Sequence, residues 1–278
     1  MVTGEVRITF LFYLATETVA FLSPFILSIA VEKIILSKGV EFMNRSISVV
    51  EYKVQQTEFF LRRLDESGLN FFAVQCYADA FANCARTITL SLQAVVGKVE
   101  GFEEWYGIEQ DRLRNNSLAR FFVNFRNVSS KIGDTCVRGG SFKKGPDGNI
   151  HSKYYFGPIP DIREVPQITV FDACAQYFET LLRLVYDSMV KFKCELDGRW
   201  YFTQENFSKH GKTIEDALVE VGLPKDWLVS PDLGSQEEQW RVFRQTQAIG
   251  CQINVEFQKY LGCTIDGPDE QIPEMAKQ

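Results

Sequence analysis

Histidine is nearly absent from this sequence, since His151 and His210 are the only two among 278 residues. The seven cysteines include no CxxC pair, so no pattern of zinc ligands is available. The P-loop, the dinucleotide glycine fingerprint and the HExxH and GxSxG motifs are also missing. Because these absences remove the best-marked metal, nucleotide and hydrolase classes, we expect neither a metal ion nor a cofactor.

An excess of positive charge is lacking too, since the formal net charge is −6. That value argues against a protein whose whole surface binds nucleic acid. The stretch 112–153 differs, because it carries +7 and leaves −13 for the remainder. Its nine basic residues are Arg112, Arg114, Arg120, Arg126, Lys131, Arg138, Lys143, Lys144 and Lys153. This local basic face indicates a polyanion site that binds RNA or phosphate. A solvated helix face followed by a charged hairpin is the alternative.

One long hydrophobic run lies near the N-terminus. Residues 8–31 (ITFLFYLATETVAFLSPFILSIAV) contain a single charge, Glu17, and are long enough to span a bilayer. A signal peptide is disfavoured because Arg7 is the only basic residue before the run. Three interpretations stay open: an upstream extension with Met43 as the true start, an inner-membrane anchor, and a buried helical hairpin broken at Pro24. The first implies a cytoplasmic protein and the second a membrane-anchored one.

The remaining sequence predicts a mainly α-helical fold with a small β-hairpin. Apolar residues recur near helical spacing in four successive segments, which are 46–67, 69–96, 102–114 and 117–132. Ser117 is the predicted cap of the fourth helix. The Gly-Pro-Asp-Gly sequence at 145–148, between Ser141-Phe142 and residues 150–156, predicts the hairpin turn.

Helical patterns return in the C-terminal half. They cover residues 170–194, a short segment that Thr213 opens with a capping-box-like sequence (Thr213-Ile-Glu-Asp), and residues 236–261. Trp200-Tyr201-Phe202 fits a short strand. We therefore divide the chain into five regions. These are 1–42, the hydrophobic segment; 43–135, a helical bundle; 136–166, the hairpin and a linker; 167–262, a C-terminal helical region; and 263–278, a disordered tail.

The candidate chemistry lies near the end of the fourth predicted helix, at Arg126-Asn127-Val-Ser-Ser-Lys131. Residues four apart lie on one helix face, so Asn127 and Lys131 are neighbours and Arg126 lies one residue round. The three polar groups would converge if two such helices paired in a dimer. The alternative is structural: Arg126 and Asn127 would bind last-turn carbonyls, and Lys131 would complement the helix dipole.

The segment from about Tyr52 to Asp134 resembles the HEPN group of helical domains. The resemblance rests on DAFANCARTITLSLQ from Asp79, followed by FEEWYGIEQDRLRNNSLARFFVNFRN. It implies a helical bundle and a homodimer. In the ribonuclease members, an Arg, a polar residue and a His meet across the dimer cleft and cleave RNA without metal, using the ribose 2′-OH. By fold-level analogy it also implies a role in bacterial defence or toxin–antitoxin-type systems.

This sequence departs from that pattern because Lys131 stands where the histidine would be. A lysine acts as a base only after its pKa falls from about 10.4 to about 7, whereas a charged lysine is a ready phosphate ligand. His151 could reach the site only by a swing of the hairpin. We therefore expect a degenerate ribonuclease site of Arg126, Asn127 and Lys131 that binds RNA or a cognate protein.

Two alternatives to this expectation remain. One is an active metal-independent endoribonuclease that uses Arg126 as a dimer. The other is a purely structural helical interaction protein. For binding RNA or phosphate, the candidate residues are Arg112, Arg114, Arg120, Arg138, Lys143 and Lys144.

Overall fold

The computed structural model describes residues 47–270, apart from 147, 149, 226–233 and 249. In this part the protein is mainly α-helical with one two-stranded antiparallel hairpin, which confirms the predicted fold class. The hydrophobic run 8–31 and its three interpretations lie outside the described residues. Of the helices that are described, none combines the length and the apolar character needed to cross a membrane.

Four helices form the N-terminal half of the described chain. They are α1 (Ile47–Asp65), α2 (Phe71–Val96), α3 (Phe102–Asn115) and α4 (Ser117–Ile132). The cap of α4 is Asn116 rather than the predicted Ser117, because the Asn116 side chain accepts the Ala119 N–H at 3.0 Å. The helix ends at Gly133, whose φ of 78° suits glycine and lets the chain turn toward the hairpin.

The hairpin consists of β1 (Val137–Lys144) and β2 (Ile150–Phe156), paired from Val137↔Phe156 to Lys144↔Ile150. We call these two strands the ribbon. One of its faces rests on the α1–α2 turn, where Ser152 Oγ and Tyr154 Oη donate to the Gly68 carbonyl at 2.5 and 3.0 Å. Gly140 lies under the Tyr154 ring so closely that a Cβ there would come within 2.8 Å.

Helix α5 (Val170–Lys191) is the centre of the first core. It packs against α1, α2 and α4, and Tyr177 stacks on Phe122 with ring centroids 4.6 Å apart. Thr169 begins the helix by accepting the Asp172 N–H at 3.0 Å. The first core also takes in the base of the ribbon, through Phe156.

Five shorter helices follow: α6 (Lys193–Leu196), α7 (Gly198–Tyr201), α8 (Gln204–Lys209), α9 (Ile214–Glu220) and α10 (Gln236–Gln247). The strand predicted at 200–202 is wrong, because Asp197 caps a helical turn there by accepting the Arg199 N–H. The capping box at Thr213 is confirmed. Helices α7–α10 enclose a second core of Phe202, Phe207, Ile214, Ala217, Leu218, Val221, Trp240 and Phe243.

The helix predicted over 236–261 is two helices, α10 and α11 (Asn254–Leu261). The chain breaks between them because the buried Glu51 carboxylate of α1 accepts the Gln252 N–H at 2.8 Å, outside any helical pattern. This contact returns α11 to the first core, where Phe257 is fully buried. Sequence periodicity could not show the break, since its cause lies about 200 residues away.

The predicted disordered tail is ordered over residues 263–270, which we call the C-terminal strap. Ile265 is buried in the first core, while Asp269 pairs with Arg244 and Glu270 with Arg199. The strap is thus held by one apolar contact and two ion pairs that its composition alone does not reveal. The remaining predicted tail, 271–278, lies outside the described residues.

Candidate functional site

The last two turns of α4 carry the three predicted site residues. Arg126 Nη1 donates to Asn127 Oδ1 at 3.2 Å, so the guanidinium and the amide form one polar unit. Arg126 is half-buried, and its Nε is buried with no hydrogen-bond partner in the described part of the chain. Lys131 is exposed and bonds to no described residue. The structure therefore brings Arg126 and Asn127 together and leaves Lys131 on the surface.

A polar seam that the sequence reasoning missed joins α4 to α2. Ser130 Oγ donates to Asn83 Oδ1 at 2.9 Å, and Ser129 hydrogen-bonds to the Asp79 carboxylate. Since Ser129 and Ser130 follow Arg126 by three and four residues, the seam runs along the same side of α4 as Arg126. The available signal was an acid and an amide, four residues apart, in a segment of α2 that is otherwise mostly apolar.

Asp79 is the titratable group of this seam. Burial raises the pKa of its carboxyl to about 6, and the hydrogen bond with Ser129 offsets part of that rise. Its Oδ1 is buried without a hydrogen-bond partner among the described residues. No group of three or more potential metal ligands occurs in the described ranges. A carboxyl that titrates near neutral pH marks a candidate functional position, because it can hold or release a proton there.

Half of the six predicted phosphate-binding residues are engaged by acids. Three ion pairs involve Arg112 with Glu109 at 2.9 Å, Arg114 with Asp111 at 2.8 Å and Arg138 with Asp134 at 2.7 Å. Arg120 donates to the Arg114 carbonyl at 2.8 Å. The +7 stretch begins at residue 112, just after Glu109 and Asp111 of α3, and so overstates the positive charge at that end of the helix.

The lysines of the ribbon form a different group. Lys143, Lys144 and Lys153 are exposed, and none forms a hydrogen bond or ion pair with a residue that the structure describes. Lys153 pairs with Ser141, and Ser141 lies two residues before Lys143 in β1. Lys143 and Lys153 therefore lie on the same face of the ribbon. Lys144 lies on the opposite face. The positive charge of the ribbon is therefore not cancelled by neighbouring side chains.

The two histidines lie outside the α4 site. His151 is the strand partner of Lys143. Because Lys143 lies six residues beyond Val137 at the base of the ribbon, His151 lies about 20 Å along the ribbon from that base. Moving it toward Arg126 would require the ribbon to give up its bonds to the Gly68 carbonyl. His210 follows α8, next to the second core.

Residues 70–198 match the family model described as Bacteriophage lambda protein ea47. The match covers 129 of the 278 residues, from the cap of α2 to the first residue of α7. Neither a curated protein nor a solved structure matches the chain. The matched range contains the α4 residues, the seam and the ribbon, and it ends where the second core begins.

Proposed function

We propose that this protein binds RNA through its unpaired lysines without cleaving it, and that Arg126, Asn127 and Lys131 form a degenerate HEPN-like site. The observation that carries the proposal is a contrast between two sets of cations. The α3 arginines pair with acids of their own helix, whereas the ribbon lysines and Lys131 have no acidic partner among the described residues. Cations that no acid neutralises are free to displace counterions from phosphates.

The surroundings of Lys131 support binding over cleavage. An ammonium group becomes a base near neutral pH only when burial or neighbouring cations disfavour its charge. Lys131 is exposed at the end of α4, where its ammonium group faces solvent. An exposed, unpaired lysine instead offers a point charge to a phosphate.

The biological setting that we propose is the encounter between phage and bacterium. The matched family model describes a bacteriophage protein, and the HEPN resemblance points to bacterial defence or toxin–antitoxin-type systems. RNA is the partner that the unpaired lysines favour, and a cognate protein is the alternative. A homodimer that pairs two α4 helices would place two copies of Arg126 opposite each other, as the resemblance implies.

A metal-independent endoribonuclease is the second candidate function, and Asp79 is the observation that favours it. With its pKa raised to about 6, its carboxylate is a stronger base than an ordinary aspartate. It lies on the seam beside Ser129, three residues from Arg126. In this reaction Asp79 would accept the proton of the ribose 2′-OH, and the 2′ oxygen would bond to the adjacent phosphorus as the bond from phosphorus to the 5′ oxygen breaks. The leaving 5′ oxygen would take a proton from water, and Arg126 would stabilise the charge that develops on the phosphate.

RNA affinity measured by fluorescence anisotropy at several salt concentrations tests the binding proposal. We expect log K to fall linearly with log salt, with a slope of about −0.7 per phosphate contact for a single strand. The double variant Lys143→Gln/Lys144→Gln should weaken binding and flatten that slope. The matched control is Arg112→Gln/Arg114→Gln, which removes the same charge from paired positions and should change the slope less. An affinity independent of salt would contradict the proposal and leave the purely structural interpretation.

Incubation with a mixed RNA pool in EDTA separates binding from cleavage. We expect intact RNA with the wild-type chain. Cleavage that disappears in both Arg126→Ala and Asp79→Asn would overturn the non-catalytic proposal in favour of the endoribonuclease. Cleavage that persists in both variants would indicate a contaminating nuclease, and it would be removed by repeating the purification.

A further inference from the structure

A line of aromatic rings crosses from α2 onto the ribbon. The ring centroids of Phe71 and Tyr154 are 5.6 Å apart. The ring centroids of Tyr154 and Phe142 are 6.3 Å apart, and these two rings meet edge to face. Phe142 is 60% exposed and Ile150 is 57% exposed. These two side chains share a ribbon face, because Ile150 pairs with Lys144, two residues after Phe142. Aromatic and apolar surface from both strands is thus presented to solvent, on the ribbon face that Tyr154 anchors to the α1–α2 turn.

Positive charge accompanies this aromatic surface. Lys143 and Lys144 directly follow Phe142 in β1, and Lys153 precedes Tyr154 in β2. All three lysines are exposed and unpaired within the described chain. Lys144 shares the face of Phe142, whereas Lys143 and Lys153 lie on the opposite face of the ribbon. The ribbon therefore places a flat ring beside one unneutralised cation and adds two more cations behind it.

We propose that this ribbon face is a platform for single-stranded RNA, on which an unpaired base stacks on Phe142 while Lys144, on the same face, binds the adjacent phosphate. The proposal rests on the RNA binding proposed above and adds the strandedness of the RNA. A duplex hides the faces of its bases inside the stack, whereas a single strand exposes them to an aromatic side chain. Cations alone would bind either form.

Two other occupants fit the ribbon less well. A strand added to the edge of β1 by another chain would have to pass Lys143 and Lys144, and charged lysines on an edge oppose such pairing. A membrane would be entered by the turn, whose sequence, Gly-Pro-Asp-Gly-Asn at 145–149, contains no large apolar side chain. Single-stranded RNA is the partner that uses both the ring and the charges.

The test compares a labelled 12-nucleotide single-stranded RNA with its duplex, using the full chain and fluorescence anisotropy. We expect Phe142→Ala to weaken single-strand binding about tenfold, the order expected for one stacked base, and to leave duplex binding within about twofold. Phe142→Trp should restore single-strand binding. The matched control is Tyr52→Ala, since Tyr52 is 56% exposed on α1 and is likewise followed by a lysine, Lys53. It should behave as wild type.

The outcomes separate this inference from the proposed function. If Lys143→Gln/Lys144→Gln reduces binding while Phe142→Ala leaves single-strand affinity unchanged, RNA binding stands and the stacking platform is refuted. An equal loss for single strand and duplex in Phe142→Ala also refutes it. If wild type binds neither RNA, both proposals fail. Binding to anionic phospholipid vesicles that Phe142→Ala abolishes, with RNA binding unaffected, assigns the surface to a membrane and overturns the inference.

Discussion

The two cores of this protein are built differently. Among the described residues the first core buries 40 apolar side chains and the second only 8, of which four are aromatic. The first core also contains buried polar groups such as Glu51 and Thr89, and it supports both α4 and the ribbon. The second core, of which Phe202 is the first residue, lies beyond the range that matches the phage family model.

This difference indicates a division of labour. The candidate site and the cationic ribbon depend on the first core alone, because the residues that position them lie in α1–α5 and the ribbon itself. The second core is too small to bury much apolar surface. Its attachment therefore depends on the ion pairs of Arg199 and Arg244 with the C-terminal strap. A substitution in one core should therefore leave the stability of the other core unchanged, and three predictions test that independence.

Removing one buried ring from each core should have the largest effect. Phe122 is 1% exposed and contacts the Phe81, Phe156 and Tyr177 rings, and Phe207 is 2% exposed against Trp240. Each change to Ala should cost about 3–5 kcal/mol in the core concerned. Phe122→Ala should raise amide hydrogen exchange across α1–α5, whereas Phe207→Ala should raise it in α8–α10 only.

Hydrogen exchange followed by mass spectrometry resolves these two patterns. RNA affinity provides a second readout, because Phe207→Ala should retain it and Phe122→Ala should lose it as the first core opens. Uniformly faster exchange along the whole chain in Phe207→Ala would mean that the two cores unfold as one cooperative unit.

The next effect concerns the junction between the cores. Arg199 pairs with the fully buried Asp197 at 2.9 Å and with Glu270 at 3.1 Å, and it donates to the Ile265 carbonyl at 2.7 Å. Its guanidinium lies so close to Gly250 that a Cβ there would come within 2.5 Å of Nε. Arg199→Ala leaves the Asp197 charge buried and unpaired, which should cost about 3 kcal/mol and release the strap.

Urea unfolding and limited proteolysis check the role of Arg199. The variant should be cut in or near the strap while α1–α5 stay protected. Arg241→Ala is the matched control, because Arg241 pairs with Glu238 on the exposed face of α10 and its loss should leave the urea midpoint close to that of the wild type. Equal protease resistance of Arg199→Ala and wild type would show that the strap does not depend on this pair.

The same contrast explains which features the sequence could predict. Local signals marked α1–α4, the hairpin turn and the capping box of Thr213, because periodicity, glycine and caps act within a few residues. The break between α10 and α11 and the order of the strap depend on Glu51 and Arg199, which are distant in sequence. At the site, Arg126 and Asn127 were found from a motif, whereas Asp79 required knowing which side of α2 faces α4.

Opposite responses to pH are the smallest predicted difference between the cores. On the helices of the first core, burial raises the pKa of Asp79 from 3.8 to about 6, and burial also raises the pKa of Glu51. On the helices of the second core, the Thr213 N–H lowers the pKa of Asp216, and Lys209 lowers the pKa of Glu205. A group whose pKa is raised by folding contributes stability that is complete below its pKa in the unfolded chain. That contribution is lost as pH rises through its pKa in the folded protein. A lowered pKa contributes stability that is lost as pH falls.

The first core should therefore lose stability as pH rises from about 4 to about 6. The second core should lose stability only as pH falls below about 4. Asp79→Asn isolates the first effect, because the amide mimics the protonated acid. At pH 7 the variant should exceed wild type by about 1–2 kcal/mol, after allowing for the partial exposure of Asp79, and at pH 4 the two should be equal. Urea midpoints across this range measure the difference. A gain that is constant with pH would show that the benefit comes from packing or hydrogen bonding of the amide, not from the titration of Asp79.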